Sequence, residues 1–249
     1  MYINIKFILI SFLLNTVLGI NAKDKEKITL ATEAFLFQTD KLNANEIGGL
    51  AGKIVVESLK RVKIDYEMMW LPWKRAQNET LLNSNNATFI LPLTRNKERE
   101  SKYNWVSHLY NTDTAFFSLK GQKAINDLKS AKNLKIGVLN GSSYEITIKE
   151  AQLNYETTTL DETNSKKLIL KKIDAWYTSK ITGLMAFKIN KVNLSHIVYG
   201  RSIDSEKIYL ATAKSTPQSL VEKVRKAIEE YKKTDRYKTL IDNAFKNNQ

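Results

Sequence analysis

The stretch from Ala87 to Tyr110, ATFILPLTRNKERESKYNWVSHLY, decides how the rest of the chain is read. It opens on an apolar run, Ala87 to Leu93, of a length that suits a buried strand. The run breaks at Thr94 into a charged segment carrying Arg95 and Arg99, and aromatics follow at Tyr103, Trp105 and Tyr110. Open α/β sheets build their ligand crevice beyond the carboxyl ends of the strands, where this strand would deliver a threonine and two arginines. Guanidinium offers a planar fork of donors that matches a carboxylate or phosphate. The plainer reading of the same residues is a strand followed by a solvated basic loop.

Outward from this stretch, strands and helices alternate. Upstream, Ile28 to Phe35 reads as a strand, Ile47 to Val62 as a helix entered through Gly48 and Gly49, and Tyr66 to Leu71 as a strand stopped by Pro72. Trp73 to Asn83 makes a short helix. Downstream, a strand at Thr112 to Leu119 leads to a helix at Ile125 to Ala131 and a strand at Lys135 to Leu139. The turn Asn140-Gly141-Ser142-Ser143 then opens a helix through Leu153. Strands at Tyr155–Leu160, Asp174–Thr178 and Lys207–Ala213 alternate with helices at Asn164–Lys172 and Ile181–Ile189. Near the end, Thr216 reads as a cap with Pro217 at the first helical position, and a last helix starts at Thr234. This alternation predicts α/β architecture, with βαβ units around largely parallel sheet.

Hydrophobic residues at 43% and charged residues at 26% describe an ordinary globular chain, long enough at 249 residues for one domain or two compact lobes. The formal charge of +13, from 39 Lys+Arg against 26 Asp+Glu, invites a nucleic-acid reading. The lysines are scattered and no nucleic-acid motif accompanies them, so a solvated basic surface is the better account. Residues 1–22, MYINIKFILISFLLNTVLGINA, have the layout of a secretory signal peptide: Lys6, an apolar run interrupted by Asn15 and Thr16, and Ala22 at the cut. The absence of cysteine rules out disulfides, thiol catalysis and thiolate metal sites, and it leaves no lipid-anchor cysteine. A soluble periplasmic product is expected.

The strings T-R-N-K-E-R-E at 94–100 and W-V-S-H-L-Y at 105–110 resemble the signature of the family-3 extracellular solute-binding proteins. These are type 2 periplasmic binding proteins, which serve ABC transporters. Leu109 stands where that signature has proline. The resemblance implies two α/β lobes with a ligand cleft between them: 23–111 as the first part of lobe 1, 112–207 as lobe 2, and 208–249 returning to lobe 1. It further implies a small-molecule solute, an ABC permease of the inner membrane as partner, a monomer, and binding by hinge closure without catalysis or cofactor. Arg99 becomes the clamp on a ligand carboxylate, and Thr94 a hydroxyl on the same group.

Other candidates gather around the implied cleft. Ser142 and Ser143 open a helix whose free N–H groups favour an anion, although either serine also serves simply as an N-cap. Trp73, just past Pro72, suits a cleft wall, and Arg75 a second positive group facing the ligand. Arg95 reads equally as rim or structural. Family members that bind amino acids pair the ligand ammonium with a lobe-2 aspartate; the segment Asp174-Ala-Trp-Tyr-Thr-Ser179 places Ser179 there, which carries no charge. Glu33, at the end of the first strand, reads equally as a substitute for that acid or as a solvated strand end.

The two histidines, His108 and His196, are far apart with no metal-ligand spacing, so a metal site is not expected. No nucleophile elbow and no Walker loop is present. An enzyme on the same scaffold, resembling cyclohexadienyl dehydratase, would have Glu33 or His108 as general acid. A sensor that presents its ligand to a membrane receptor is the other alternative.

Overall fold

The structure is a computed structural model that describes residues 26–246. The expected signal peptide lies outside the described residues. Along the chain the elements are β1 (Lys27–Thr32), α1 (Gly49–Arg61), β2 (Asp65–Trp70), α2 (Trp73–Leu82), β3 (Thr88–Thr94) and β4 (Tyr103–Leu119). There follow β5 (Ile136–Leu139), α3 (Ser143–Glu150), β6 (Tyr155–Thr158), α4 (Asp161–Ile169), β7 (Ala175–Ser179) and α5 (Lys180–Ile189). The chain ends with β8 (Ile197–Tyr199), β9 (Asp204–Ala213), α6 (Gln218–Lys232) and α7 (Asp235–Lys246).

The strands join in the order β2-β1-β3-β9-β4-β7-β5-β6, with β8 paired to β4. Two parallel trios make the halves of this arrangement: β1 lies between β2 and β3, and β5 between β6 and β7. The antiparallel pair β4 and β9 ties them together, running side by side from Tyr103↔Ala213 to Thr114↔Asp204. At one end β9 pairs with β3, and at the other β4 pairs with β7. The result is a mixed α/β fold of two lobes crossed by two strands.

Each lobe has its own core. In the first, Ile28, Leu30, Phe89 and Leu91 of the sheet pack against Leu50, Ile54 and Leu59 of α1 and Val221, Val224 and Ile228 of α6. In the second, the period of two along β4 sends Phe116 to one face, with Val138, Ile148 and Tyr177, and Phe117 to the other, with Leu168, Trp176 and Phe187. Side chains of this kind each contribute about 1.5–3 kcal/mol when fully buried. At the head of α1, Gly49 has φ +72, and a Cβ there would lie 2.5 Å from the Gln38 carbonyl carbon. Only glycine fits, and it lets Leu50 N–H and Ala51 N–H donate to the Phe37 and Gln38 carbonyls.

Several boundaries differ from the sequence reading, and β8 was not expected; four of the differences have a local cause or bear on the site. Strand β4 starts at Tyr103, nine residues ahead of the expected Thr112; register shifts between Trp105 and Ser107 and between His108 and Tyr110 break the alternation that would have revealed it. The helix expected at Ile125 to Ala131 is only a 3-10 turn at Lys129–Ala131, because the Asp127 carboxylate accepts from both the Ser130 N–H and its hydroxyl. Helix α4 begins at Asp161 rather than Asn164. Pro217 is the N-cap of α6 rather than its first helical residue, and the Thr216 hydroxyl bonds to Thr212 and Asn83 instead of capping.

Candidate functional site: a charged cleft between the lobes

Parallel strands deliver the site residues at their carboxyl ends, as the topology requires. Glu33 follows β1, Trp73 opens α2 beyond β2, and Thr94 ends β3. Ser142 and Ser143 lie between β5 and α3, and Asp161 opens α4 beyond β6. Strand β3 reaches Thr94 through a register shift between Ile90 and Leu93 that contains Pro92, a residue that cannot donate to a ladder.

The two sets of strand ends meet directly. Arg99, 3% exposed, donates from Nη1 to the Thr94 carbonyl at 3.2 Å and from Nη2 to the Gly141 carbonyl at 2.9 Å. Gln77 donates to the same Gly141 carbonyl at 3.0 Å, and Ser143 Oγ donates to Thr94 Oγ1 at 3.2 Å. Gln38, positioned by the Tyr110 hydroxyl, reaches Thr182 Oγ1. Gly141 holds φ +73, and a Cβ there would come within 3.3 Å of Lys74 Cβ on the facing lobe. The cavity these contacts leave, lined by Phe35, Gln38, Trp73, Thr94, Arg99, Ser142, Ser143, Tyr144 and Asp161 among others, has a volume of about 30 Å³. That is room for a water or two. A solute of several heavy atoms enters only when the lobes part.

Among the described residues Arg99 has no ion-pair partner within bonding distance. Burial depresses its basicity, opposed by the charges of Glu206 and Glu98. Two of its five donors are spent on carbonyls, leaving the rest for a further acceptor. Three buried carboxyls border the same cleft. Burial pushes Glu33 up to about 7, despite the hydrogen bond from Trp73 N–H at 2.8 Å. Burial, with repulsion from Glu162 and Glu33, pushes Asp161 up to about 8. Glu206 rises to about 7 because burial outweighs the hydroxyls of Ser143 and Thr94 and the attraction of Arg99. The Thr94 hydroxyl donates to Glu206 Oε2 at 3.1 Å.

Of the residues singled out from sequence, Arg99, Thr94, Ser142, Ser143 and Trp73 line one cavity. Ser142 is also the N-cap of α3, accepting from Glu145 N–H, while Glu145 Oε2 accepts from Gly141 N–H. Trp73 is 4% exposed and stands edge-on to Phe35 at 5.1 Å. Glu33 is buried behind Trp73. Arg75 does not face the cavity: its side chain is 68% exposed and leans toward Glu79 one turn along α2. Ser179 is spent structurally, accepting from Thr182 N–H as the N-cap of α5 and donating to Thr182 Oγ1 at 2.8 Å. Arg95 pairs with Glu100 and stacks between Trp105 and Tyr209 on the outside of β4 and β9. His108 bonds Asn111 and does not line the cleft.

Asp161, Glu206 and Gln38 were not anticipated. Glu206 lay one residue before the expected strand, yet extending the inward alternation of Leu210 and Ile208 by two residues lands on it. Asp161 fell in the gap between an expected strand and an expected helix. An acid at that junction was the available signal.

No family profile matches the sequence, and no characterised protein matches it by sequence either. Solved structures do match by shape. An ancestral arginine-binding protein bound to arginine superposes with a TM-score of 0.77 at 21% identity, covering 89% of this chain and 99% of that one. A histidine kinase sensor domain with similarity to periplasmic binding proteins gives 0.79 at 11% identity, covering 89% and 96%. The fold is that of the two-lobed type 2 periplasmic binding proteins. The ligand-binding core of GluR0 from Nostoc punctiforme, in complex with L-glutamate, gives 0.75 at 14% identity over 88% and 99%. These likenesses span 88 to 89% of the chain, taking in both lobes and the two crossing strands.

Proposed function

We propose that this protein captures a small, carboxylate-bearing, amino-acid-like solute between its lobes and delivers it to an ABC permease, without chemistry of its own. The observation that carries the reading is Arg99: a buried guanidinium at the cleft, bonded only to carbonyls, with donors left over. In a water-poor site each charge-assisted bond it makes to a carboxylate is worth about 1.5–3 kcal/mol. The hydroxyls of Thr94 and Ser143 stand beside it, and either would reach a ligand carboxylate by turning its proton away from its present acceptor, Glu206 or Thr94. A solute touching both lobes would stabilise the closed arrangement over the open one, which is all that capture requires. The amino-acid ligands named for the arginine-binding and glutamate-binding neighbours support the ligand class. A periplasmic location follows from the same reading and from the signal-like residues 1–22.

The sensor-domain neighbour favours a second reading, in which the same closure is read by a membrane receptor rather than a permease. A thermal-shift screen of amino acids, dicarboxylates, polyamines and sugar acids tests capture itself. At least one carboxylate-bearing compound is expected to raise the melting temperature in a saturable way. A screen in which none does so would overturn the reading.

A further inference from the structure

A second cavity lies where the crossing strand β4 passes from lobe 1 to lobe 2, and its volume is about 350 Å³. Gaps of this size hold small organic ligands. Asn111 and Asp113 of β4 line it, with Lys180 and Leu184 of α5, Tyr199 of β8 and Phe245 of α7. Lobe 2 thus supplies part of the wall through α5 and β8, and lobe 1 another part through α7, whose Phe245 packs on the first core. None of these residues borders the cleft that holds Arg99.

The lining combines open apolar surface with ionic groups that have no partner of their own. Leu184 and Phe245 are half-buried, and Tyr199 is 42% exposed. Apolar surface of this kind gains when a ligand covers it. The Lys180 ammonium stands 5.2 Å from the centre of the Tyr199 ring, and among the described residues neither Lys180 nor Asp113 is in an ion pair. Asn111 spends its Oδ1 on the His108 ring at 2.8 Å, which leaves its amide N–H groups as donors. Lys207, the register partner of Asn111 on β9, adds a second ammonium on the same face of the crossing pair. Two ammonium groups and an amide donor against one carboxylate favour an anion.

We propose that this cavity is a second small-molecule site, at the hinge, for an amphipathic carboxylate: an aromatic or branched apolar body against Leu184, Tyr199 and Phe245, with its anion on Lys180 and Asn111. The site stands whatever the cleft captures. Its walls belong to both lobes and to the strand on which they turn, so a molecule filling it weights the closed arrangement in which the walls have this spacing. Packing joins it to the cleft by a short route. Phe245 lies 6.3 Å from the Tyr110 ring, the Tyr110 hydroxyl donates to Gln38 Oε1 at 2.9 Å, and Gln38 donates across the lobes to Thr182 Oγ1 at 3.4 Å. Gln38 itself lines the cleft cavity.

Isothermal titration of the full chain with 4-phenylbutyrate, 4-phenylbutan-1-ol and 4-phenylbutylamine tests the site and its preference for charge. The acid is expected to bind in a saturable way with a Kd below about 1 mM, and at least about tenfold more tightly than the alcohol or the amine. Lys180→Glu is expected to weaken the acid by about tenfold or more and to leave the alcohol within a few-fold of its value. Arg99→Met, which disables the cleft, should bind the acid as the unaltered protein does. Small-angle scattering at saturating 4-phenylbutyrate should give a radius of gyration equal to or below that of the free protein. Absence of saturable binding, tighter binding of the amine or the alcohol, indifference to Lys180→Glu, or loss of binding in Arg99→Met overturns the hinge site. A larger radius overturns its tie to closure. None of these outcomes bears on capture in the cleft, which the amino-acid screen decides separately.

Discussion

Replacing Arg99 with methionine keeps most of the side-chain volume and removes the guanidinium. Two opposing effects act on the free protein. The Thr94 and Gly141 carbonyls lose donors at 3.2 and 2.9 Å, a net cost of about 1 kcal/mol each. At the same time a buried cation without an ion-pair partner disappears, and with it a desolvation penalty. The melting temperature of the free protein should therefore change little. Ligand binding has no such compensation. Losing a charge-assisted contact of about 1.5–3 kcal/mol weakens affinity by about 10- to 100-fold. A ligand present at about a hundred times its Kd adds about 2.7 kcal/mol to stability. The same concentration, after a hundredfold loss, equals Kd and adds only about 0.4 kcal/mol. For a chain of this size each kcal/mol is about 2–4 °C, so a shift of about 5–10 °C should shrink to about 1 °C. The assay is differential scanning fluorimetry of both proteins over a ligand series. An undiminished shift in Arg99→Met would refute the assignment of the carboxylate to this guanidinium. A fall of many degrees in the free protein alone would make the side chain a structural tie between the lobes.

Stability of the free protein should fall as pH rises from about 5.5 to about 8.5. Glu33, Asp161 and Glu206 have folded values near 7, 8 and 7, all above an unfolded value near 4, so the folded state binds more protons in that window. The contribution is fully present below about pH 4 and is lost through about pH 7 to 8. Urea unfolding at both pH values checks this, and Asp161→Asn should flatten the slope by more than about 1 kcal/mol. Gly183→Ala would place its Cβ 2.3 Å from Phe117 Cε2, so overpacking of α5 against β4 should cost about 1–3 kcal/mol in the same assay. Gly141→Ala forces an alanine to φ +73 at a cost of about 1–2 kcal/mol, and it crowds Lys74 across the lobes. Small-angle scattering of that variant should report a larger radius of gyration than the unaltered protein; an equal radius would show that this turn does not hold the lobes together.

The parallel trios were legible because their strands are continuous apolar runs, as in Phe89-Ile90-Leu91, and their helices show a clean apolar face, as in Leu220, Val221, Val224, Ala227 and Ile228. The crossing strand β4 was half hidden, since its first part alternates irregularly through two bulges and carries His108 and Asn111 on an exposed edge. The site divided along the same physical line. Arg99, Thr94, Ser142, Ser143 and Trp73, which line one cavity, stood out in the sequence because each is at or within five residues beyond an apolar strand. Arg75 points away from the cavity because two residues along a helix from Trp73 is about 200° of rotation. Asp161 and Glu206 share a different reason: a charged residue beside a turn looks solvated until the facing lobe covers it. Burial of that kind is a property of the closed pair of lobes, to which Arg99, Gln77 and Ser143 each contribute one bond. The acids bordering the cleft were therefore the ones that local sequence was least able to reveal, while Arg99 lies in the turn just beyond β3, a strand whose apolar run sequence reads well.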